Sequence, residues 1–250
     1  MKALSRVAPP VVLFALLLAL WQLAVTRSNV PANILPGPIL TWTRLLDLLA
    51  GPLWGPLGIT LYEALGGCVL GIAVAVPLAV VLFHVKVLAA AVNPFLGATQ
   101  AIPAVALAPL LMLAVGYGTT PIILLCALMV FFPILVSTVL GLRHVDAEVK
   151  EAARLDGAGV WGMLTQIELP LSLPAILSGV RNGFTLSVTG AVVGEMMIGG
   201  TGEGLCSMLM AKLGFDTAGM FAIIFVLCVV AASIYSLVRW LEHSYSKTLG

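Results

Sequence analysis

Charge is what this chain has least of. Of its 250 residues, 9% are charged and 61% are hydrophobic, where a soluble domain carries roughly 25% charged residues. So few charges cannot cover a water-facing surface, which excludes an ordinary soluble globule. No charge occurs at all over 7–26, 64–85, 87–142 and 182–194, and the longer of these runs reach or exceed the ~18–20 residues with which a helix crosses a bilayer. The runs do not alternate, so the ~10-residue strands of a membrane β-barrel are excluded too. The fold class that remains is all-α: a polytopic membrane helical bundle.

Other absences narrow the function. The four cysteines, Cys68, Cys126, Cys206 and Cys228, are far apart and form no C-x-x-C pair. They predict neither a metal site nor a disulfide framework, and read as small apolar packing residues. His84, His144 and His243 are dispersed, which gives no metal cluster. A net charge of +1 offers no basic face for nucleic acid. There is no G-x-x-x-x-G-K-[ST], so the chain has no P-loop for ATP. Gly199–Gly204 is glycine-rich, but no strand precedes it, and a dinucleotide fingerprint needs one. No Ser/His/Asp set is legible, and no cofactor of the chain's own is expected. No internal repeat stands out, which withholds support from an inverted-repeat secondary transporter.

What is there parses into one transmembrane domain, 1–250, with about six spans: 9–26, 58–83, 90–115, 120–141, 171–198 and 217–238. The start, Lys2 and Arg6 before the apolar Val11–Val25, reads as an uncleaved first span, because the run is long for a signal peptide and no A-x-A site follows it. The charge-free stretch 87–142 must hold two spans. Gly116-Tyr117-Gly118-Thr119-Thr120-Pro121 marks their hairpin. Lys2, Arg6, Lys86, Arg143, Lys150, Arg154, Arg181, Arg239 and Lys247 would lie inside, against Arg27, Arg44 and Lys212 outside; this excess predicts both termini in the cytoplasm. It also puts residues 142–170 in the cytoplasm. The loop 27–57 is rich in Pro and Gly, and its apolar Ile39–Leu49 suggests a short helix at the membrane surface. Gly67 and Gly71, Gly179 and Gly183, and Gly190 and Gly194 are spaced for close helix packing in lipid. Pro77, Pro103, Pro109 and Pro133 invite kinks within spans.

The polar segment 142–170 is the richest in information. Asp146 can cap a helix running to about Asp156, with Asp146/Lys150 and Glu151/Arg154 as surface neighbours. Gly157-Ala158-Gly159 breaks that helix. A second short helix, about 160–168, sets Trp161 and Leu164 on one side with Ile167 near it, and Pro170 ends it and starts the next span. Helices this short are unstable alone in water and need something to pack on. Two supports are open: the chain's own bundle with the lipid headgroups, or a groove on a soluble partner with Trp161 as the anchor.

Glu151-Ala152-Ala153, three residues, Gly157, nine residues, Ile167, one residue and Leu169-Pro170 resembles the EAA loop of ABC importer permeases at every fixed position. Ile102-Pro103, Pro109-Leu110, Gly116-Tyr117-Gly118 and Phe131-Phe132-Pro133-Ile134 resemble the third and fourth spans of the nitrate/sulfonate/taurine group of that family. Ala191–Met196, with Glu195, and Gly202-Glu203-Gly204-Leu205 resemble its fifth span and the loop after it. The likeness covers about residues 55–240. It implies a subunit of the bacterial cytoplasmic membrane that pairs with a second copy of itself, two cytoplasmic ATPase subunits holding ATP and Mg, and an extracytoplasmic substrate-binding protein. Glu151, Ala152, Ala153 and Gly157 would then shape the coupling loop. Ala158, Gly159, Trp161 and Leu164 would lie on the coupling helix 158–166, and Ile167 and Pro170 would close the motif. Leu155-Asp156 before Gly157 and Gly159 depart from the group's usual residues, and few basic residues follow Trp161, so a less acidic ATPase surface is expected. The rival classes are a self-contained channel or secondary transporter, which would need ion-binding groups near the midplane, and an integral membrane enzyme, which would need clustered acids or histidines at one face.

Within the spans, Glu195 is the acid nearest a pore role. A charge at the bilayer centre costs roughly 2.5–3.5 kcal/mol on insertion scales, so Glu195 must face protein or water, as a gate or as a structural hydrogen bond. Glu63 is similar but reads as interfacial. Gln100, Asn182, Ser187, Asn93, Thr99 and Thr189 could line a polar path, or join helices through hydrogen bonds.

Overall fold

A computed structural model of the chain describes residues 4–28, 30–99, 103–199 and 202–246. Every regular element among them is helical: α1 Leu4–Arg27, α2 Pro38–Leu49, α3 Trp54–His84, α4 Lys86–Thr99, α5 Ala104–Val115, α6 Thr119–His144, α7 Ala147–Leu155, α8 Val160–Gly162, a π-helical stretch Met163–Glu168, α9 Leu169–Ile198, α10 Leu205–Ala211 and α11 Thr217–Ser246. Four stretches are long and apolar enough to cross a membrane: Trp54–His84, Thr119–His144, Val160–Ile198 and Thr217–Trp240. Helices α1 and α5 lie at the places where the first and third spans were expected.

The third span differs from its expectation. Instead of one kinked helix over 90–115, α4 and α5 are separate, and Pro103 sits in extended conformation at the head of α5 (φ −64°, ψ 127°). Pro103 is itself outside the helical region, so here it divides a span that periodicity alone makes continuous. Pro77, Pro109 and Pro133 do lie inside helices.

The bundle is built around α6. Ile122, Leu125, Cys126, Val130, Ile134 and Leu135 on this helix are fully buried, and they are flanked by α3 on one side and α9 on the other. Both flanking helices present glycine to α6. A methyl group on Gly67 would lie 2.2 Å from Cys126 Cβ and 2.9 Å from the Ile123 carbonyl; one on Gly194 would lie 2.7 Å from Ile122 Cγ2. In lipid no gain comes from hiding apolar surface, so association depends on dispersion contact at short range, and a missing Cβ is what permits it. The glycine spacing seen in the sequence is therefore the packing face of α3 and α9.

The hairpin into α6 turns on Gly116 (φ 91°) and Gly118 (φ 117°), as expected. The surface helix foreseen in the 27–57 loop is α2, opened by Gly37 and Pro38. Its Leu45 and Leu48 are buried with Leu205, Leu209, Ala222, Ile223 and Val226 of α10 and α11. Arg44 reaches Asp216, 3.4 Å away at the start of α11, where Asp216 accepts from Gly219 N at 2.9 Å and from Lys212 Nζ at 2.8 Å. Burial opposes ionisation of Asp216, but these hydrogen bonds and the Lys212 and Arg44 charges outweigh it and hold its carboxyl below the usual carboxylate range.

Gly66 and Gly67 give a paired test. A Cβ on Gly66 meets only Ile123 side-chain atoms, at 3.4 Å and beyond. Gly66→Ala is expected to leave the melting temperature of the purified protein unchanged or slightly raised, since Ala is the better helix former. Gly67→Ala must displace backbone and is expected to lose about 1–3 kcal/mol. Equal thermal scans for the two variants would show that α3 and α6 are not in close contact.

Candidate functional site

The polar segment folds as its sequence predicts up to Gly159. Asp146 caps α7 by accepting from Glu148 N at 3.0 Å. The helix ends in a Schellman motif: Ala158 N donates to Ala153 O at 2.9 Å and Gly157 N donates to Arg154 O at 3.1 Å. That motif needs a left-handed residue at its fifth position, and Gly157 has φ 86°. A side chain there would meet nothing within 4 Å, so glycine is required for its backbone conformation and not for space. The Ala153…Gly157 part of the pattern is thus the code for this helix end. Glu151 and Ala152 are on its exposed side, and Ala153 and Ala158 are half-buried.

Past Gly159 the structure departs from expectation. Pro170 does not end a separate short helix; Val160–Ile198 is one continuous helical rod. The turn before the proline widens to π geometry over Met163–Glu168. A proline ring clashes with the carbonyl four residues back in α geometry, and a wider turn relieves this without breaking the rod. Met163 and Glu168 face inward, Leu164, Ile167 and Pro170 are half-buried, and Gly159 is exposed. The tip carries an apolar surface that the chain itself leaves open: Leu155, Val160 and Trp161 are 89%, 81% and 75% exposed.

A cluster that the sequence reading missed joins this segment to the bundle. The Glu168 carboxylate lies 3.2 Å from His84 Nε2 at the end of α3 and 3.9 Å from Lys150 Nζ on α7. Lys150 also donates to Leu142 O at 3.2 Å and lies 4.9 Å from the centre of the Phe83 ring. The available signal was Glu168 itself, a lone acid between Ile167 and Leu169. Its partners are far away in sequence, and only the fold brings them to it.

At the far end of α9, Glu195 is buried and engaged. It accepts from Thr60 Oγ1 of α3 at 2.5 Å and from Cys206 N of α10 at 2.7 Å. Thr60 Oγ1 in turn accepts from Leu205 N at 2.9 Å. Two amides at the start of α10, which has no cap of its own, are thus satisfied from neighbouring helices. Gly204 lies against the carboxylate: a Cβ there would be 2.2 Å from its carboxyl carbon. Glu63, expected at the interface, is instead fully buried. Both of its carboxyl oxygens are buried without a hydrogen-bond partner among the described residues.

The candidates for a polar path separate. Gln100 lies outside the described residues. Ser187 is buried and donates to Ala64 O of α3 at 2.6 Å, so it joins helices. Asn182 is exposed on α9, together with Thr185 and Thr189, at the spacing of one helix face.

A family model described as "binding-protein-dependent transport system inner membrane component" matches residues 67–247. The chain is 42% identical to the riboflavin transport system permease protein RibX of Chloroflexus aurantiacus over 91% of its own length and 85% of that protein's. It is 31% identical to the formylaminopyrimidine transport permease protein ThiX of Halalkalibacterium halodurans over 97% and 96%, and 33% identical to a putative aliphatic sulfonates transport permease protein, SsuC, of Bacillus subtilis over 93% and 84%. A chain of the inward-facing MetNI methionine ABC transporter shares its fold, with a TM-score of 0.67 over 80% of this chain and 97% of that one at 18% identity. With an all-helical membrane bundle and a family match over most of its length, this chain belongs to the binding-protein-dependent transport inner-membrane components, the permease subunits of ABC importers.

Proposed function

We propose that two copies of this chain form the translocation path of an importer for a small polar solute, and that each copy is driven through residues 142–170. The observation that carries this is the exposed apolar tip, Leu155 at the end of α7 with Val160 and Trp161 at the start of a rod continuous with α9. A Trp left 75% exposed at a helix start suits a groove on a soluble partner. In this reading the partner is one of two cytoplasmic ATPase subunits, which bind the ATP and Mg, and an extracytoplasmic binding protein delivers the solute. The chain crosses the bacterial inner membrane six times, with both termini and the loop in the cytoplasm. Glu151, Ala152, Ala153 and Gly157 shape the helix end, Ala158, Gly159, Trp161 and Leu164 meet the ATPase, and Ile167 and Pro170 lead the motion into α9. Asn182, with Thr185 and Thr189, lines the path on the face of α9 that one copy leaves open. Glu195 is a structural tie: both of its oxygens accept hydrogen bonds inside the subunit. Relatives named for riboflavin, formylaminopyrimidine and sulfonates support a vitamin, vitamin-precursor or organic-anion solute, chosen mainly by the binding protein.

The test is purification from native membranes in mild detergent with mass spectrometry of what accompanies the chain. A stoichiometric P-loop ATPase is expected, and a lone oligomer across several detergents would overturn the reading in favour of a self-contained channel or secondary transporter. Trp161→Ala is expected to weaken ATPase association by about thirtyfold, the loss of an anchor worth roughly 2 kcal/mol; unchanged affinity would leave Trp161 to the lipid. Gly157→Val is expected to impair coupled ATP hydrolysis by straining the helix end by roughly 1–2 kcal/mol, with Gly157→Asn much milder. If both variants couple normally, the Schellman turn plays no part. Glu63→Gln removes the acid from a buried site where it has no hydrogen-bond partner among the described residues and is expected to preserve assembly. Glu195→Gln is expected to lower yield and thermal stability by roughly 1–3 kcal/mol, with transport per assembled complex retained. Normal assembly with lost transport would instead make Glu195 a gate.

A further inference from the structure

A cavity of about 590 Å³ opens between α9 and α11, lined among others by Pro174 and Arg181 from α9 and by Tyr235, Arg239, Trp240 and Glu242 from α11. Tyr235, Arg239 and Glu242 follow helical spacing and share one side of α11. Arg181 is held firmly. Its Nη1 donates to Glu242 Oε2 at 2.6 Å, its Nη2 donates to Ser178 Oγ at 3.2 Å, and its guanidinium lies 5.0 Å from the Tyr235 ring centre. One donor is left over: Arg181 Nε is buried and has no acceptor among the described residues. Arg239 is exposed on the rim and makes no ion pair among them. The single acid here is already spent on Arg181, so the cavity keeps an excess positive charge and an unmet donor. Both features call for an anion with several oxygens.

Three observations identify the anion as a lipid headgroup. The charge-free run 217–238 of α11 is closed by Arg239, so Arg239, Glu242 and, through its ion pair, Arg181 lie where hydrocarbon gives way to headgroups. Trp240 and Leu237 are 63% and 56% exposed, an aromatic and an aliphatic side chain turned outward at that level, as in interfacial belts. The apolar stretch of α11 is only 17% buried within the subunit, which leaves a flank along which acyl chains can lie. Basic pockets between membrane helices are a recurring headgroup site. We propose that this cavity binds an anionic phospholipid of the leaflet on the side of the 142–170 loop. Arg239 and Arg181 Nε hold its phosphate, and Trp240 lies beside its glycerol region. The inference needs only that α9 and α11 cross the bilayer, and it is independent of how the loop is driven.

The test is native mass spectrometry of the detergent-purified complex, titrated separately with phosphatidylglycerol, phosphatidylcholine and inorganic phosphate. Phosphatidylglycerol is expected to be retained in preference to phosphatidylcholine. Arg239→Gln, an exposed change that leaves the Arg181–Glu242 pair in place, is expected to weaken phosphatidylglycerol retention about fivefold or more. Arg181→Gln is expected to weaken it further, but its failure to fold would not affect the reading from Arg239→Gln. Equal retention of the two lipids, or undiminished phosphatidylglycerol retention by Arg239→Gln, overturns the proposal. Displacement of the lipid by millimolar inorganic phosphate overturns the lipid assignment in favour of a free phosphate site. None of these outcomes depends on whether an ATPase co-purifies, so the proposal can fail while the transport reading stands.

Discussion

The bundle depends on how closely α6 can lie between α3 and α9. In a bilayer the tails are as apolar as the side chains, so helices associate through short-range contact and hydrogen bonds. Gly67 and Gly71 on α3 and Gly190 and Gly194 on α9 remove the atoms that would hold α6 away. With α6 seated in both grooves, α3 and α9 are held as an antiparallel pair, and every functional feature of the chain lies on that pair or is attached to it.

The pair is tied at both ends, each time by an acid of α9 or of the turn before it. At one end Glu195 meets Thr60 of α3 and gathers the start of α10. At the other, Glu168 meets His84 of α3 and draws in Lys150 of α7. Between the ties Ser187 donates to the Ala64 carbonyl. Polar side chains inside a bundle are costly unless paired; the Thr60–Glu195 and Ser187–Ala64 hydrogen bonds join α9 to α3, and Glu168 lies between His84 of α3 and Lys150 of α7. These contacts hold the two helices side by side, with the polar loop joined at one end and the start of α10 at the other.

Much of this was legible in the sequence because it is written in local rules. The Asp146 cap, the Ala153…Gly157 helix end, the Gly116/Gly118 hairpin and the α2 surface helix each depend on neighbours within a few residues, and each forms where its pattern lies. The glycine pairs were legible as close-packing faces, but not which helix they face. Two kinds of feature were missed. Pro103 and Pro170 have opposite effects: one divides a span and the other is absorbed into a continuous rod by a π turn. Local propensity is alike for the two prolines and does not record which outcome follows. The buried ties were missed because their members are distant in sequence. Glu63 reads as interfacial from its place near a span end, and its burial against Glu195 becomes visible only once α3 and α9 are set side by side.

The continuity of Val160–Ile198 gives the loop its mechanical meaning. A separate coupling helix hinged at Pro170 would let a partner's push dissipate in the hinge, since a flexible joint transmits displacement poorly. The π turn accommodates the proline within a continuous helix, and the Glu168–His84 contact lies at that same turn. On the proposed reading, displacement of the tip around Trp161 would pass to α9 along one continuous helix, and through the Glu168–His84 contact to α3 as well. The face carrying Asn182, Thr185 and Thr189 moves with that rod. A polar path along this face would therefore open and close with the loop, without a change in the fold of either helix.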